Sequence, residues 1–246
     1  MQGLMESCYD NQYYQQRMFQ HEVKYAFFKI IAGTLVKKFS PKLVLDVGCA
    51  QGALVCAFND LGVKAYGVDI SEFAINQSPQ SVRPALFSVD VDSKELPFEA
   101  QQFDMVTATS VIEHLQNYNH IICEMKRVLR PGGVAFITTP KKHWDIFFRI
   151  VSGGEPTHIN VHSKSFWLRT FQSHGFHYMG DFPRNTEKEA RHAMKNAASK
   201  VIDMQHPRTK IGQFLVRFGK VGRLTREELA TDLMLVPGNE ALLFRS

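Results

Sequence analysis

The hydrophobic positions of this chain form short apolar runs that alternate with stretches of helical spacing. The runs KLVLDVG, KAYGVDI, ALFSVDV, FDMVTATS and GVAFITTP follow one another between residues 42 and 140. Between them, ALVCAFNDLG, SEFAINQ and the segment from Tyr118 to Leu129 have the spacing of helices. Near-continuous apolar runs are typical of strands whose two sheet faces are both covered. The alternation predicts an α/β fold with a doubly wound, parallel sheet and right-handed crossovers.

The remainder of the chain extends this pattern. SKSFWLRTFQSHGF predicts a further helix, capped by Ser163 or Ser165, and FHYMGDF predicts a sixth strand. The last residues, EALLFRS, predict a seventh strand. We therefore expect a seven-stranded, mainly parallel sheet.

Two segments lie outside the alternation. Residues 10–38 predict an amphipathic helix or pair of helices that caps the N-terminal side. Residues 184–236 predict a helical, lid-like insertion before the last strand. With a cofactor-binding core at 42–182 and the last strand at 240–246, we expect a single domain.

The composition is that of an ordinary globular protein, with 246 residues of which 44% are hydrophobic and 22% are charged. No apolar run approaches the ~18 residues of a membrane span, and no signal-peptide pattern is present. The four cysteines lack the paired spacing of metal ligands, and Cys56 and Cys123 are expected to be small buried thiols. These features predict a reduced, cytoplasmic protein.

The net charge of +5 is unevenly distributed. Residues 184–226 carry eleven lysines and arginines against three acids, so this segment alone has a charge of +8. Such a distribution does not describe a uniformly basic nucleic-acid surface. It leaves open an RNA-binding patch, a helix lying on an anionic membrane, and a merely solvated face.

A glycine-containing turn follows the first predicted strand, in the stretch LVLDVGCAQGAL. Ligands of open parallel sheets bind at the carboxyl ends of the strands, beside the first strand in particular. No Lys-Ser/Thr pair follows the turn, which excludes a Walker-type loop. The second strand ends in Asp69, seventeen residues after Gly52, where an acid can accept hydrogen bonds from both ribose hydroxyls. These residues predict an adenosyl-type cofactor and do not separate NAD from its alternatives.

The residues around the third and fourth predicted strands distinguish NAD from the other adenosyl cofactors. The stretch SVDVDSKELPFEAQQFDMVTATSVIEHL, followed by VLRPGG, resembles the class I S-adenosylmethionine-dependent methyltransferases. The series runs from an acid after the third strand through Leu-Pro-Phe and Phe-Asp to a Glu-His pair. The resemblance extends from about Lys42 to Pro140, and more loosely to Phe182. It implies a Rossmann-like methyltransferase fold and an enzyme that converts S-adenosylmethionine to S-adenosylhomocysteine.

The resemblance also implies a position for each part of the cofactor. The methionine half would meet Asp46, Gly48, Cys49, Ala50, Gln51 and Gly52. The ribose would meet Asp69, and the adenine would meet Ile70, Asp90 and Val91. The sulfonium would lie near Ser110 and Val111. Tyr14 would either close over the cofactor or pack within the N-terminal helices.

Two positions depart from the commonest pattern of this family. Alanine stands at position 50, where glycine is frequent. Asp90 lies two residues farther from the Leu-Pro-Phe motif than is usual, so Asp92 competes with it for the adenine. We favour Asp90, because it ends the apolar alternation.

Methyl transfer from a sulfonium is an in-line displacement that depends mainly on positioning, whereas a hydroxyl acceptor also benefits from a base. His158 in EPTHINVHS is our first candidate for that base, followed by His114 after VIE and His143 in TPKKHWD. His114 can equally fix its loop by hydrogen bonds. The histidines lack a spacing such as HExxH, so we expect no metal.

We expect transfer of a methyl group to an oxygen or nitrogen of a small, fairly apolar molecule, as in natural-product biosynthesis. The insertion would roof the acceptor site, with Phe214, Leu215 and Phe218 facing it. One alternative is an RNA methyltransferase that uses residues 184–226, although no RNA-binding module is recognisable. Others are a membrane-associated lipid or quinone methyltransferase and a non-enzymatic cofactor-binding protein.

Overall fold

The computed structural model describes residues 21–143, 145–146, 157–201 and 239–246. Seven strands form one sheet in the order β3-β2-β1-β4-β5-β7-β6. The strands are β1 (Leu43–Val47), β2 (Lys64–Asp69), β3 (Leu86–Ser88), β4 (Phe103–Thr109), β5 (Leu129–Pro140), β6 (His177–Asp181) and β7 (Asn239–Arg245). Among the strands of the described residues, β7 alone runs in the direction opposite to the other six. The doubly wound α/β sheet predicted from the sequence is confirmed.

Helices connect the strands where the hydrophobic spacing predicts them. They are α1 (His21–Phe39), α2 (Ala53–Asp60), α3 (Glu72–Asn76), α4 (Tyr118–Val128), α5 (Lys164–Ser173) and α6 (Arg184–Val201). The Ser71 hydroxyl accepts a hydrogen bond from the Ala74 N–H at 3.1 Å, which caps α3. Ser163, not Ser165, caps α5. Within the described residues, no helix is both long and apolar enough to cross a membrane.

The core lies on both faces of the sheet, because alternate strand residues point to opposite sides. On β1, Val44 packs with α1 and α2, whereas Leu45 packs with α4 and α5. Trp167 is fully buried in the second of these layers, as expected of a core residue. The sheet is therefore covered on both sides, and its carboxyl edge remains for a ligand.

Three local expectations were wrong. The fifth strand begins at Leu129 rather than at Gly133, because a shift in the register between β4 and β5 lets the Pro-Gly-Gly turn continue the strand. The third strand is only three residues long, because the chain turns at Asp90. Cys123 is exposed, since the neighbouring residues Ile121 and Ile122 occupy the buried face of α4.

The N-terminal helix α1 packs against both α2 and α6. Its buried residues face α2 and the sheet, and Val23 packs against Met194 of α6. Helix α6 is the described part of the predicted insertion, and it is docked on α1. The remainder of that insertion, including Phe214, Leu215 and Phe218, lies outside the described residues. The division of the chain into cap, core and insertion stays a prediction.

Candidate functional site

The turn after β1 is shaped by two glycines in the left-handed region of backbone conformation. Gly48 has φ +72° and Gly52 has φ +74°. A Cβ atom at position 48 would lie 2.3 Å from Cγ2 of Val111, and one at position 52 would lie 2.9 Å from Cδ1 of Leu86. The amides of Gly48 and Cys49 donate to the Val68 carbonyl at 2.8 and 3.0 Å. The glycines thus let β1, β2 and the loop after β4 approach one another closely.

Ala50 adopts a left-handed conformation as well, with φ +47°. This conformation costs a residue with a Cβ atom roughly 1–2 kcal/mol. The Ala50 N–H donates to Oδ2 of Asp69 at 2.7 Å, which ties the turn to the end of β2. A methyl group is therefore accommodated here, but at a position whose backbone favours glycine. Gln51 follows it and is half-buried.

Two buried carboxyl groups flank this turn. Asp46 accepts a hydrogen bond from the Thr107 hydroxyl at 2.7 Å, and burial raises its pKa to about 7. Asp69 accepts the N–H groups of Ala50 and Ser71 through different oxygens, at 2.7 and 2.8 Å, and burial raises its pKa too. Each carboxyl group retains lone pairs for a further donor. Acids at these two strand ends suit a ligand rich in ammonium and hydroxyl groups.

The segment after β3 contains the two competing acids. The Asp92 carboxylate accepts the N–H groups of Gln116 and Asn117 at 3.1 and 2.6 Å, which fixes the loop before α4. Asp90 is half-buried and accepts the Ser93 hydroxyl at 2.7 Å. Val91 is buried. Asp90 also accepts the Asp92 N–H at 3.1 Å, so both acids stabilise their own loops, and the choice of Asp90 as the ligand-facing acid stays a prediction.

The loop after β4 lies over the glycine turn. Ser110 has φ +56°, and its N–H donates to the Thr138 carbonyl at 3.0 Å, which turns the chain at the sheet edge. The next residue, Val111, is the one that a side chain on Gly48 would meet. The two loops are therefore neighbours.

Two residues beyond Val111, the same loop contributes to a cluster of donor atoms. One ligand atom from each of Glu113, His114 and His158 lies within 4.8 Å of the other two. The rings of His114 and His158 are 4.9 Å apart, edge to face. Nδ1 of His158 lies 2.8 Å from Oδ1 of Asp145, and Nδ1 of His114 lies 3.2 Å from the Thr157 carbonyl oxygen. We call Glu113, His114 and His158 the Glu-His-His cluster.

Backbone hydrogen bonds hold the two segments of this cluster together. The N–H groups of Ile159 and Asn160 both donate to the Glu113 carbonyl oxygen at 2.9 Å. The Asn160 side-chain amide donates to the Leu115 carbonyl. The positions of Glu113, His114 and His158 are therefore set by main-chain contacts and do not depend on side-chain packing alone.

The protonation of the cluster is governed by burial. Glu113 is fully buried, which raises its pKa to about 8, although its own N–H and the hydroxyls of Thr139 and Ser110 act in the opposite direction. Neither carboxylate oxygen completes a hydrogen bond with a described residue. Burial, followed by repulsion from His158, lowers the pKa of His114 to about 4. His114 is thus a neutral imidazole at neutral pH.

The structure brings some of the candidate residues together and leaves others apart. His158 and His114 meet in the cluster, whereas His143 is exposed and contributes no atom to it. Tyr14 lies outside the described residues. Sequence reasoning missed Asp145, which is buried and bonded to His158. Its only signal is its position in TPKKHWD, after the fifth strand, because nothing in the sequence pairs it with a histidine 13 residues further along the chain.

In the described part of the basic segment, Arg184, Lys188 and Lys195 of α6 are exposed, whereas Arg191 is largely covered. Arg191 on α6 pairs with Glu187 at 3.7 Å, and only 14% of the arginine side chain is exposed. Burial lowers the pKa of Arg191. The cations from Arg208 to Arg226 lie outside the described residues.

Comparison with known proteins agrees with this architecture. Residues 19–179 match the family described as "Methyltransferase domain". A ubiquinone biosynthesis O-methyltransferase of Coxiella burnetii is 25% identical over 158 residues, which cover 56% of this chain and 68% of that protein. The enzyme of the same name from Thiobacillus denitrificans is 31% identical over 121 residues, with 46% and 51% covered.

Solved structures share the fold at lower identity. A putative sarcosine dimethylglycine methyltransferase from Galdieria sulphuraria superposes with a TM-score of 0.60 at 14% identity, over 88% of this chain and 84% of that one. The [4+2]-cyclase SpnF superposes with a TM-score of 0.58 at 19% identity, over 89% and 81%. With a family match over most of its length and this sheet, the chain belongs to the methyltransferase domain family and is an S-adenosylmethionine-dependent methyltransferase.

Proposed function

We propose that S-adenosylmethionine binds along the carboxyl edge of β1, β2 and β4. Asp46 and the turn from Gly48 to Gly52 receive the methionine half, and Asp69 receives the ribose hydroxyls. Support comes from the two buried carboxyl groups beside a turn whose backbone approaches the loop after β4 closely. Ile70, Asp90 and Val91 would then face the adenine, as the resemblance implies.

In this placement the sulfonium lies near Ser110 and Val111, and the Glu-His-His cluster begins two residues beyond Val111. The cluster is thus close in the chain to the residues near the sulfonium. A methyl acceptor bound between the cluster and the sulfonium would approach the methyl carbon from the side opposite the sulfur. Orientation of this kind can lower a barrier by about 7–11 kcal/mol.

We propose that the acceptor atom is a hydroxyl oxygen of a small molecule. The observation that carries this proposal is the pair formed by His158 and Asp145, with 2.8 Å between Nδ1 and Oδ1. A carboxylate on Nδ1 fixes the tautomer in which Nε2 carries the lone pair. An amine acceptor needs no such base, whereas a hydroxyl gains roughly 10²–10⁴-fold from one.

The reaction then needs one proton transfer and one displacement. Nε2 of His158 accepts the hydroxyl proton while Asp145 stabilises the imidazolium that results. The oxygen forms a bond to the methyl carbon as the carbon–sulfur bond breaks. The electron pair of the carbon–sulfur bond remains on the sulfur of neutral S-adenosylhomocysteine. Asp145 acts as a positioning residue.

The acceptor that we favour is an apolar phenol. The relatives named for ubiquinone biosynthesis are O-methyltransferases, which supports a hydroxyl on an apolar ring and also the quinone alternative. Natural-product phenols belong to the same chemical class. RNA is the less favoured acceptor, because the sequence contains no recognisable RNA-binding module.

The proposal is tested by supplying adenosylmethionine with a labelled methyl group to the protein, together with a panel of phenols, amines and total RNA. Label should appear in a phenol as a methyl ether, identified by mass spectrometry. His158→Ala should slow this transfer at least 100-fold, whereas His177→Ala, a change at an exposed histidine of β6, should not. Label that accumulates in RNA or only in amines would contradict the proposal.

A further inference from the structure

The arrangement of the Glu-His-His cluster goes beyond what a general base requires. A single histidine and its carboxylate would suffice to take a proton. Here a second neutral imidazole and a fully buried carboxyl group lie within the same 4.8 Å. The buried Glu113 carboxyl group in particular calls for a function of its own, since a buried polar group without a hydrogen bond is costly.

We propose that Glu113, His114 and His158 bind a divalent first-row transition metal such as Zn²⁺. Two histidines and one carboxylate form a ligand set that holds zinc in several hydrolases and iron(II) in oxygenases, with positions left open for substrate. The inference rests on the proposed function, because the metal would act on the same acceptor hydroxyl.

The partners of the two histidines support this assignment. Metal-binding histidines donate their second ring N–H to a carboxylate or to a backbone carbonyl, which orients the ring and fixes the tautomer. His158 has Asp145 at its Nδ1 and His114 has the Thr157 carbonyl, so the structure contains both kinds of partner. In each ring Nε2 is then the nitrogen that carries the lone pair.

Glu113 provides an independent indication. Its side chain is completely buried, and no residue in the described part of the chain donates a hydrogen bond of full geometry to either carboxylate oxygen, although the hydroxyls of Thr139 and Ser110 lie near it and lower its pKa. A cation within the cluster would satisfy that carboxylate. The hydrogen bonds from Ile159 and Asn160 to its carbonyl hold its backbone beside the segment that carries His158.

The distances require the side chains to move together. Zinc bonds to nitrogen and oxygen are about 2.0–2.2 Å long, and in tetrahedral geometry two ligands of one ion are about 3.4 Å apart. A pair of atoms at the 4.8 Å limit would have to approach by about 1.4 Å. Rotation of the Glu113 or His158 side chain can supply this movement. The ligands come from two separate loops, which is why no HExxH-like spacing marks them in the sequence.

The bound metal would take over the activation of the acceptor. With both Nε2 atoms coordinated, the acceptor oxygen would occupy an open position and release its proton to solvent, since a metal lowers the pKa of a bound hydroxyl. The oxygen would then form its bond to the methyl carbon, while the electron pair of the broken carbon–sulfur bond stays on the neutral sulfur. No oxidant or reductant takes part.

The proposal is tested by titrating Zn²⁺ alone into chelator-treated protein, with calorimetry for stoichiometry and Co²⁺ absorption spectra for geometry. We expect one ion per chain. His158→Ala and Glu113→Gln should abolish stoichiometric binding, and Asp145→Asn should weaken it 10–100-fold by loosening the ring of His158. His177→Ala is the matched control and should bind as the wild type does.

Circular dichroism of each variant guards against a loss of folding, and Asp145→Asn tests the same site without removing a ligand. Failure of the wild-type protein to bind one equivalent would overturn the proposal, as would binding that is equal in the control and in folded His158→Ala. Methylation of a phenol by protein that does not bind Zn²⁺ would refute the proposed metal site and leave the proposed function standing. Equimolar Zn²⁺ binding without methylation of any hydroxyl would refute the proposed function and leave the metal site standing.

Discussion

The close approach between the glycine turn and the loop after β4 can be tested by adding one methyl group. In Gly48→Ala, the new Cβ atom would lie 2.3 Å from Cγ2 of Val111, with the backbone in a conformation that disfavours a side chain. We expect the variant to be less stable than the wild type. It should also bind adenosylmethionine more weakly if the turn holds the methionine half.

The magnitude follows from two separate costs. A left-handed backbone costs alanine about 1–2 kcal/mol relative to glycine. The contact with Val111 adds the cost of overpacking a filled space, about 1–3 kcal/mol. The free energy of unfolding should therefore fall by about 2–5 kcal/mol in total. Gly62→Ala is the matched control, because its φ is +76° but no atom lies within 4 Å of the added Cβ.

The assay is urea unfolding of the two variants, each also prepared with Val111→Ala. Gly62→Ala should lose only the backbone cost, and the excess loss of Gly48→Ala should disappear in the Val111→Ala background. Equal losses in Gly48→Ala and Gly62→Ala would refute the reasoning. The reasoning would also be refuted if Gly48→Ala still lost more unfolding free energy than Gly62→Ala in the Val111→Ala background.

Three further predictions concern the same edge of the sheet. Ala50→Gly should raise the free energy of unfolding by about 1 kcal/mol, because it removes a left-handed alanine, and urea unfolding that shows a loss would contradict this. Asp69→Ala should abolish adenosylmethionine binding measured by calorimetry, and unchanged affinity would show that the ribose lies elsewhere. The pKa of Asp46 is raised to about 7 in the folded protein, so its ionisation opposes folding. The wild type should therefore lose stability relative to Asp46→Asn as the pH rises from 4 to 7, and a constant difference in unfolding free energy over that range would contradict the assignment.

The fold and the glycine turn were predictable because both follow from local patterns in the sequence. Apolar runs and helical spacing identify the strands and helices without knowledge of their neighbours. A glycine directly after Val47 and an acid at the end of β2 then place the turn, since all parallel strands end at one edge. A serine cap on α5, at Ser163 or Ser165, was equally predictable from the sequence.

The left-handed conformation of Ala50 had no signal in the sequence, because alanine rarely adopts it and the turn imposes it. The pairing of Asp145 with His158 was invisible for a different reason. The two residues are 13 positions apart between β5 and α5, and only the folded structure shows that they meet. The register shift in β5 likewise depends on β4, a separate strand.

A crystal structure with S-adenosylhomocysteine would test the central claim most directly. We predict that both ribose hydroxyls contact Asp69, that the homocysteine lies on the turn from Gly48 to Gly52, and that its sulfur faces the Glu-His-His cluster across Val111. A sulfur directed away from that cluster, or a ribose without contact to Asp69, would contradict the account.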